Sequence, residues 1–200
     1  MRVSRAQAEE NRRTVIDVAS RLFRARGFDG IGLNDLMKGA GLTQGGFYKQ
    51  FESKDDLIVQ ASAKALENGA AHWAKVIAKA ARNPLSALVR FYLSEPHCQE
   101  KAEGCALAAL APDAARRSPA LRQTFEAGIK HHLDILDGLI ARAPGDDVRD
   151  RSIVALSTMV GALVLSRAVD DERLSRRFLQ AAADGVLEGV GRDASESQLQ

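Results

Sequence analysis

The sequence predicts an all-α chain of about nine helices, a small three-helix head followed by a larger helical body. Three observations carry this expectation. Alanine and leucine abound while runs of β-branched residues stay short, a composition that favours helix over strand. Apolar residues recur at helical spacing, as in Leu33, Leu36 and Met37, which share one face at i, i+3 and i+4. Breaks such as Asn83-Pro84 and Pro144-Gly145 separate the periodic segments. At 200 residues the chain has ample core-forming capacity.

In the head, Ile16, Ala19, Ser20, Leu22 and Phe23 form the stripe of a first helix that stops at Gly27. Leu33, Leu36 and Met37 mark the second. Gly41 suits the left-handed conformation that ends a helix, Leu42 is expected to drop into the core, and Thr43 to cap a third helix. That helix runs from Gln44 to about Lys49 with Phe47 facing inward. Gly45 and Gly46 leave its front bare at a cost of roughly 1 kcal/mol each against alanine, so a compensating reason is expected. A helix built this way is made to be presented, and an α-helix fits the major groove of B-DNA.

Beyond the head, Ser53 caps a helix from Lys54 to about Ala81, with acidic residues in its first turn. Pro84 opens another to about Ser94, which Pro96 ends, and residues 95–104 read as a loop. A short helix over 105–116 follows, then one from Ser118-Pro119 to about Ala143. Asp146 to Val169 and Asp171 to about Val190 complete the body, and the tail 191–200 is expected to be flexible. The domain reading is therefore 1–53, 54–190 and 191–200.

Net charge is only +2, too little by itself to mark a nucleic-acid binder. Its distribution says more. Residues 1–64 hold 11 Lys/Arg against 8 Asp/Glu, with Arg2, Arg5, Arg12 and Arg13 crowding the amino end, as suits a segment near phosphates. No apolar run approaches the roughly 18–20 residues needed to cross a bilayer, no signal-peptide core precedes the charged amino end, and two cysteines make no disulfide framework. The expected setting is cytoplasmic, with no membrane partner.

Leu22-Phe23, Gly27, Ala40-Gly41-Leu42-Thr43, Gly45, Phe47-Tyr48, Phe51, Ser53-Lys54 and Leu57 stand at fixed spacing. Over about the first 60 residues this pattern resembles the TetR/AcrR family of bacterial transcriptional regulators. Two positions depart from it: Gly32 stands where the family usually has Ser or Thr, and Gly46 where it often has a hydroxyl that can reach a phosphate. The resemblance implies a helix-turn-helix head on a larger antiparallel helical regulatory domain. It also implies a homodimer on a palindromic double-stranded DNA operator and release by a small-molecule effector. Thr43 and Gln44 are the candidate base readers, since Gln pairs bidentately with adenine and Thr can touch a thymine methyl. Gly45 allows close approach, and Tyr48, Lys49 and Lys54 are candidate phosphate contacts.

In the last two helices Leu156, Val160, Leu163, Val164 and Arg167, with Phe178, Ala182 and Gly185, form apolar faces wider than one core contact requires. They resemble the family's four-helix dimer interface. The candidate effector lining is Trp73, Phe91, Tyr92, Cys105, Leu107, Phe125, Ile129, His132 and Met159, each of which also suits ordinary core. The segment around Cys98 and Cys105 resembles the Gly-Cys pattern of a family subset with thiol- or electrophile-responsive members. His97, Lys101 or a helix start at Cys105 could favour the thiolate this requires. An alternative zinc site from His97, Cys98 and Cys105 lacks a fourth ligand. An enzyme reading would rest on His131, His132, Asp134 and Asp137, but adjacent histidines on a helix point in different directions. Neither a nucleophile elbow nor a phosphate-binding glycine loop is present, and no catalytic residue, cofactor or metal is expected.

Overall fold

The computed structural model describes residues 4–140 and 147–191, and every regular element among them is helical. In chain order these are α1 (Arg5–Arg26), α2 (Leu33–Gly39), a 3-10 helix (Gln44–Lys49), α3 (Lys54–Lys79), α4 (Pro84–Tyr92) and α5 (Glu95–Gln99). Then come α6 (Ala106–Ala114), α7 (Pro119–Leu139), α8 (Val148–Ala168) and α9 (Glu172–Gly191). Arg2, the expected helix end at Ala143, the Pro144-Gly145 break and the tail beyond Gly191 lie outside the described residues.

One helix was not expected. Residues 95–104 read as a loop, yet Glu95–Gln99 is α5. The Ser94 hydroxyl accepts the His97 N–H at 3.3 Å, and Pro96 occupies the first turn rather than ending the preceding helix. A proline there forfeits no donor, because first-turn N–H groups have no partner within the helix.

Gly27 and Gly41 both adopt positive φ, at 74° and 70°, where a Cβ is penalised. Each ends a helix as its sequence position suggested.

The chain divides into two compact units, Met1–Gly69 with Lys101–Gly128 and Ala70–Glu100 with Ile129–Gln200. The first unit takes in α6 and the start of α7, beyond the 1–53 segment drawn from sequence. The reason is packing: α6 lies on α1, burying Ala106, Leu110 and Ala114. The Arg24 side chain, 1% exposed, donates to the Gly104 carbonyl at 3.3 Å. In the second unit α8 and α9 form an extensive antiparallel-type pair, with α4 on α9 and α5 on α8.

By length and composition α8 is apolar enough to cross a membrane, with a mean hydropathy of 1.3. The expectation that no such run exists is corrected on this point. Ser152 and Ser166 are buried and Arg167 is half-buried within the unit. Part of the helix's apolar surface stays open instead, with Val154 65% and Leu165 49% exposed.

Candidate nucleic-acid interface

The helix-turn-helix is assembled from short-range contacts. Leu36 and Met37 are fully buried. The Met37 carbonyl accepts N–H groups from Ala40 at 3.1 Å and Leu42 at 2.9 Å, so α2 ends tightly with Gly41 in the left-handed region. Phe47 is fully buried and stacks on Phe51 with ring centroids 5.2 Å apart. Leu42 is half-buried rather than core. Thr43 occupies the cap position, but its hydroxyl makes no capping hydrogen bond. The segment 44–49 winds as a 3-10 helix, the poorer hydrogen-bonded form expected where two glycines lower helical propensity.

Thr43, Gln44, Gly45, Tyr48 and Lys49 are all exposed. A side chain at Gly45 would meet nothing within 4 Å, so no internal contact demands the glycine. Tyr48 is 71% exposed, its ring set edge-on to Phe47 at 5.1 Å, which turns the phenol outward from a fixed base.

Lys54 sits differently. Its ammonium donates to the Ile31 carbonyl at 2.8 Å, tying the start of α3 to the loop before α2. The Ser53 hydroxyl accepts the Asp56 N–H at 3.0 Å, and the Asp56 carboxylate accepts the Glu52 N–H at 3.2 Å, a reciprocal cap. Arg12, read from sequence only as one cation in a crowd, lies over the Phe51 ring at 5.4 Å and pairs with Gln60. Nothing local could have assigned it that role, because its partners lie some forty to fifty residues along the chain.

Of the expected effector lining, the structure brings Trp73, Tyr92 and His132 together. Trp73 meets Tyr92 and His132 edge-to-face at 5.7 and 4.7 Å, and all three are buried. Phe91, half-buried, stacks between His72 at 4.7 Å and His97 at 5.4 Å. Met159 is fully buried and Ile129 half-buried in the same unit, whereas Cys105, Leu107 and Phe125 belong to the first unit.

Of the expected dimer face, Leu156 and Leu163 are buried within the chain. Arg167 is engaged with α5 carbonyls. Val160, Val164, Phe178 and Ala182 are half-buried, and Gly185 is exposed. The most open apolar side chains on α8 and α9 are Ile153, Val154, Leu165 and Leu174, of which Val154 and Leu165 were not singled out from the sequence. A hollow lined by Gly161, Leu165, Leu174, Phe178 and Ala181 runs between the two helices.

Cys98 is buried, with its sulfur 3.1 Å from the Ser166 hydroxyl. Cys105 is half-exposed at the start of α6. His131 and His132 diverge, their rings 6.4 Å apart at 79°. Asp134 and Asp137 are both paired with Arg149. Among the described residues no group of three or more His, Cys, Asp and Glu side chains is gathered to hold a metal ion.

A helix-turn-helix closed through Gly41 and carrying exposed polar and glycine residues, on an otherwise helical chain, is the architecture of a helix-turn-helix transcriptional regulator. Residues 15–61 match the bacterial regulatory proteins of the tetR family. The chain is 39% identical over 57 residues to the HTH-type transcriptional regulator AcrR of Shigella flexneri, covering 28% of this chain and 26% of that protein. That match thus spans about a quarter of AcrR. It is 26% identical over 160 residues to the HTH-type transcriptional regulator LmrA of Bacillus subtilis (strain 168), covering 78% and 82% of the two. The fold is shared with a TetR family transcriptional regulator from Cytophaga hutchinsonii at a TM-score of 0.77, with 18% identity and 94% and 98% of the chains covered. Residues 15–61 thus carry a tetR-family segment, and the matches together support a TetR/AcrR family regulator.

Proposed function

We propose that the chain is a cytoplasmic homodimeric repressor that binds a palindromic DNA operator and is released by a small-molecule effector. The observation that carries this reading is the exposed face of segment 43–49, formed by Thr43, Gln44, Gly45, Tyr48 and Lys49 and held on a tightly closed helix-turn-helix while Gly45 leaves its front bare. Thr43 and Gln44 read base edges, Gly45 admits the backbone, and Tyr48 and Lys49 contact phosphates. Lys54 still has two N–H groups free of the Ile31 carbonyl and can share in phosphate binding.

Two heads about one DNA turn apart read a palindrome, which requires a second copy. The open apolar side chains of α8 and α9 fit that partner, because exposed aliphatic groups beside small residues favour close helix approach. Residues 1–53 act as the reading head and 54–190 as the sensing and dimerising body. The proposed effector lining in the second unit is Trp73, Phe91, Tyr92, Ile129, His132 and Met159.

A duplex selected from a random pool by the purified protein tests the reading, with mass measured in solution by light scattering. A dimer that selects a palindrome supports it. A monomer, or a pool that never enriches, sinks it.

A second reading is favoured by Cys105, half-exposed at the start of α6 beside the Gly104 peptide that Arg24 holds. Oxidation or alkylation there would place a polar or bulky group at a helix start. Titrating operator release with an electrophile in wild type and Cys105→Ser separates thiol sensing from pocket binding; equal release in both removes the thiol reading.

A further inference from the structure

We propose that Arg117, far outside the helix-turn-helix, is a positioning residue for operator binding: its guanidinium clasps the entry and exit of the DNA-reading segment. This rests on the reading of residues 43–49 as the DNA-contacting element.

The geometry is specific. One arm of the guanidinium pairs with Asp29, in the loop between α1 and α2. The other donates to Asp55, in the first turn of α3, at 3.2 Å. The flat face lies 5.3 Å from the Phe28 ring centroid, and that ring is buried edge-on against Phe23 at 5.4 Å. Asp29 precedes α2, and Asp55 follows the 3-10 helix. The chain between them is the helix-turn-helix itself. Lys54 closes the same span from within, through the Ile31 carbonyl.

Arg117 is anchored on its own side as well. It lies between α6 and α7, its carbonyl accepts from Arg122 at 2.8 Å, and its side chain is only 24% exposed. Asp29 and Asp55 are 89% and 71% exposed, so the arginine is the more buried partner of both pairs. Arginine suits this task because its planar fork serves two acceptors and an aromatic face together. A lysine would keep the charge and lose the fork. The consequence is that α6 and the α6–α7 turn help set where the reading segment sits.

The test uses full-length protein and a duplex selected by the wild type from a random pool, with affinity measured across a salt series. Arg117→Gln should weaken binding about fivefold, the size of a small ion-pair network, with the slope of log affinity against log salt unchanged. A direct phosphate contact would instead lower that slope by about one. Asp29→Asn supplies the sharper readout. Removing a carboxylate near phosphates should strengthen binding on charge alone, whereas loss of the clasp should weaken it. The double variant should bind no worse than Arg117→Gln, since both remove one interaction.

Asp29→Asn that binds as tightly as wild type or tighter overturns the proposal, as does a slope that falls by about one in Arg117→Gln. Should Arg117→Gln not fold, Asp29→Asn decides alone. A wild-type protein that selects no duplex is a different failure, that of the DNA-binding reading beneath it.

Discussion

The guanidinium of Arg167, at the end of α8, donates to the Cys98 carbonyl at 2.9 Å and so closes the last turn of α5. It reaches the His97 and Glu100 carbonyls as well, at 3.0 and 3.3 Å. A helix of five residues has almost no stability of its own, and its last carbonyls need donors from elsewhere. Arg167 therefore does for α5 what that short helix cannot do for itself.

Replacing this arginine tests the assignment. Arg167→Met keeps the aliphatic stem and removes the donors, and it should lower unfolding stability by about 2 kcal/mol, the range for hydrogen bonds to a charged group. Urea denaturation at fixed protein concentration measures it. Unchanged stability would mean that α5 holds its place without the arginine.

His97 should make the same region sensitive to acid. Burial holds its pKa below the ordinary 6.5, the Tyr92 carbonyl opposes that by accepting from Nδ1, and the charges of Arg167 and His72 push in the direction of burial. A histidine depressed in the folded state takes up its proton more readily when unfolded. Its contribution is thus present above the unfolded value and lost as pH falls from there through the lower folded pKa. Thermal melts should show stability declining below about pH 6.5, the ordinary histidine value, and His97→Gln should flatten that part of the profile.

The open apolar side chains on α8 predict a change of assembly. Val154 and Leu165 are 65% and 49% exposed, so Val154→Glu with Leu165→Glu should cost the monomer little. In a two-fold interface each substitution appears twice and sets carboxylates against an apolar surface. Light scattering should report a monomer, and operator affinity should fall by at least about tenfold as one head is lost. A variant that remains a dimer would place the interface elsewhere.

Within the reading segment, Gln44→Ala should relax discrimination at one base position at a cost of about 1–3 kcal/mol. Tyr48→Phe should weaken all duplexes to a similar degree, because a phosphate contact carries no sequence information. Competition between the selected duplex and single-base variants distinguishes the two. Unchanged binding by both variants removes these residues from the interface.

What the sequence determined by itself was local. Gly27 and Gly41 could be placed as helix ends because a positive φ at a helix terminus selects glycine whatever lies around it. Leu36, Met37 and Phe47 could be assigned to the interior because helical spacing puts them on one side. The exposed positions Thr43, Gln44, Gly45, Tyr48 and Lys49 were legible for the same reason, as were all the helices except α5, whose proline looked like a stop. Tertiary structure alone decided the tasks of the long cationic side chains. Lys54 ties a loop, Arg167 caps α5, and Arg117 spans Asp29 and Asp55 across 88 and 62 residues. Caps and periodicity involve neighbours within about four positions, so the sequence carries them openly. A flexible side chain with several donors has no such register, and its partner is chosen only when packing brings distant carbonyls and carboxylates within reach.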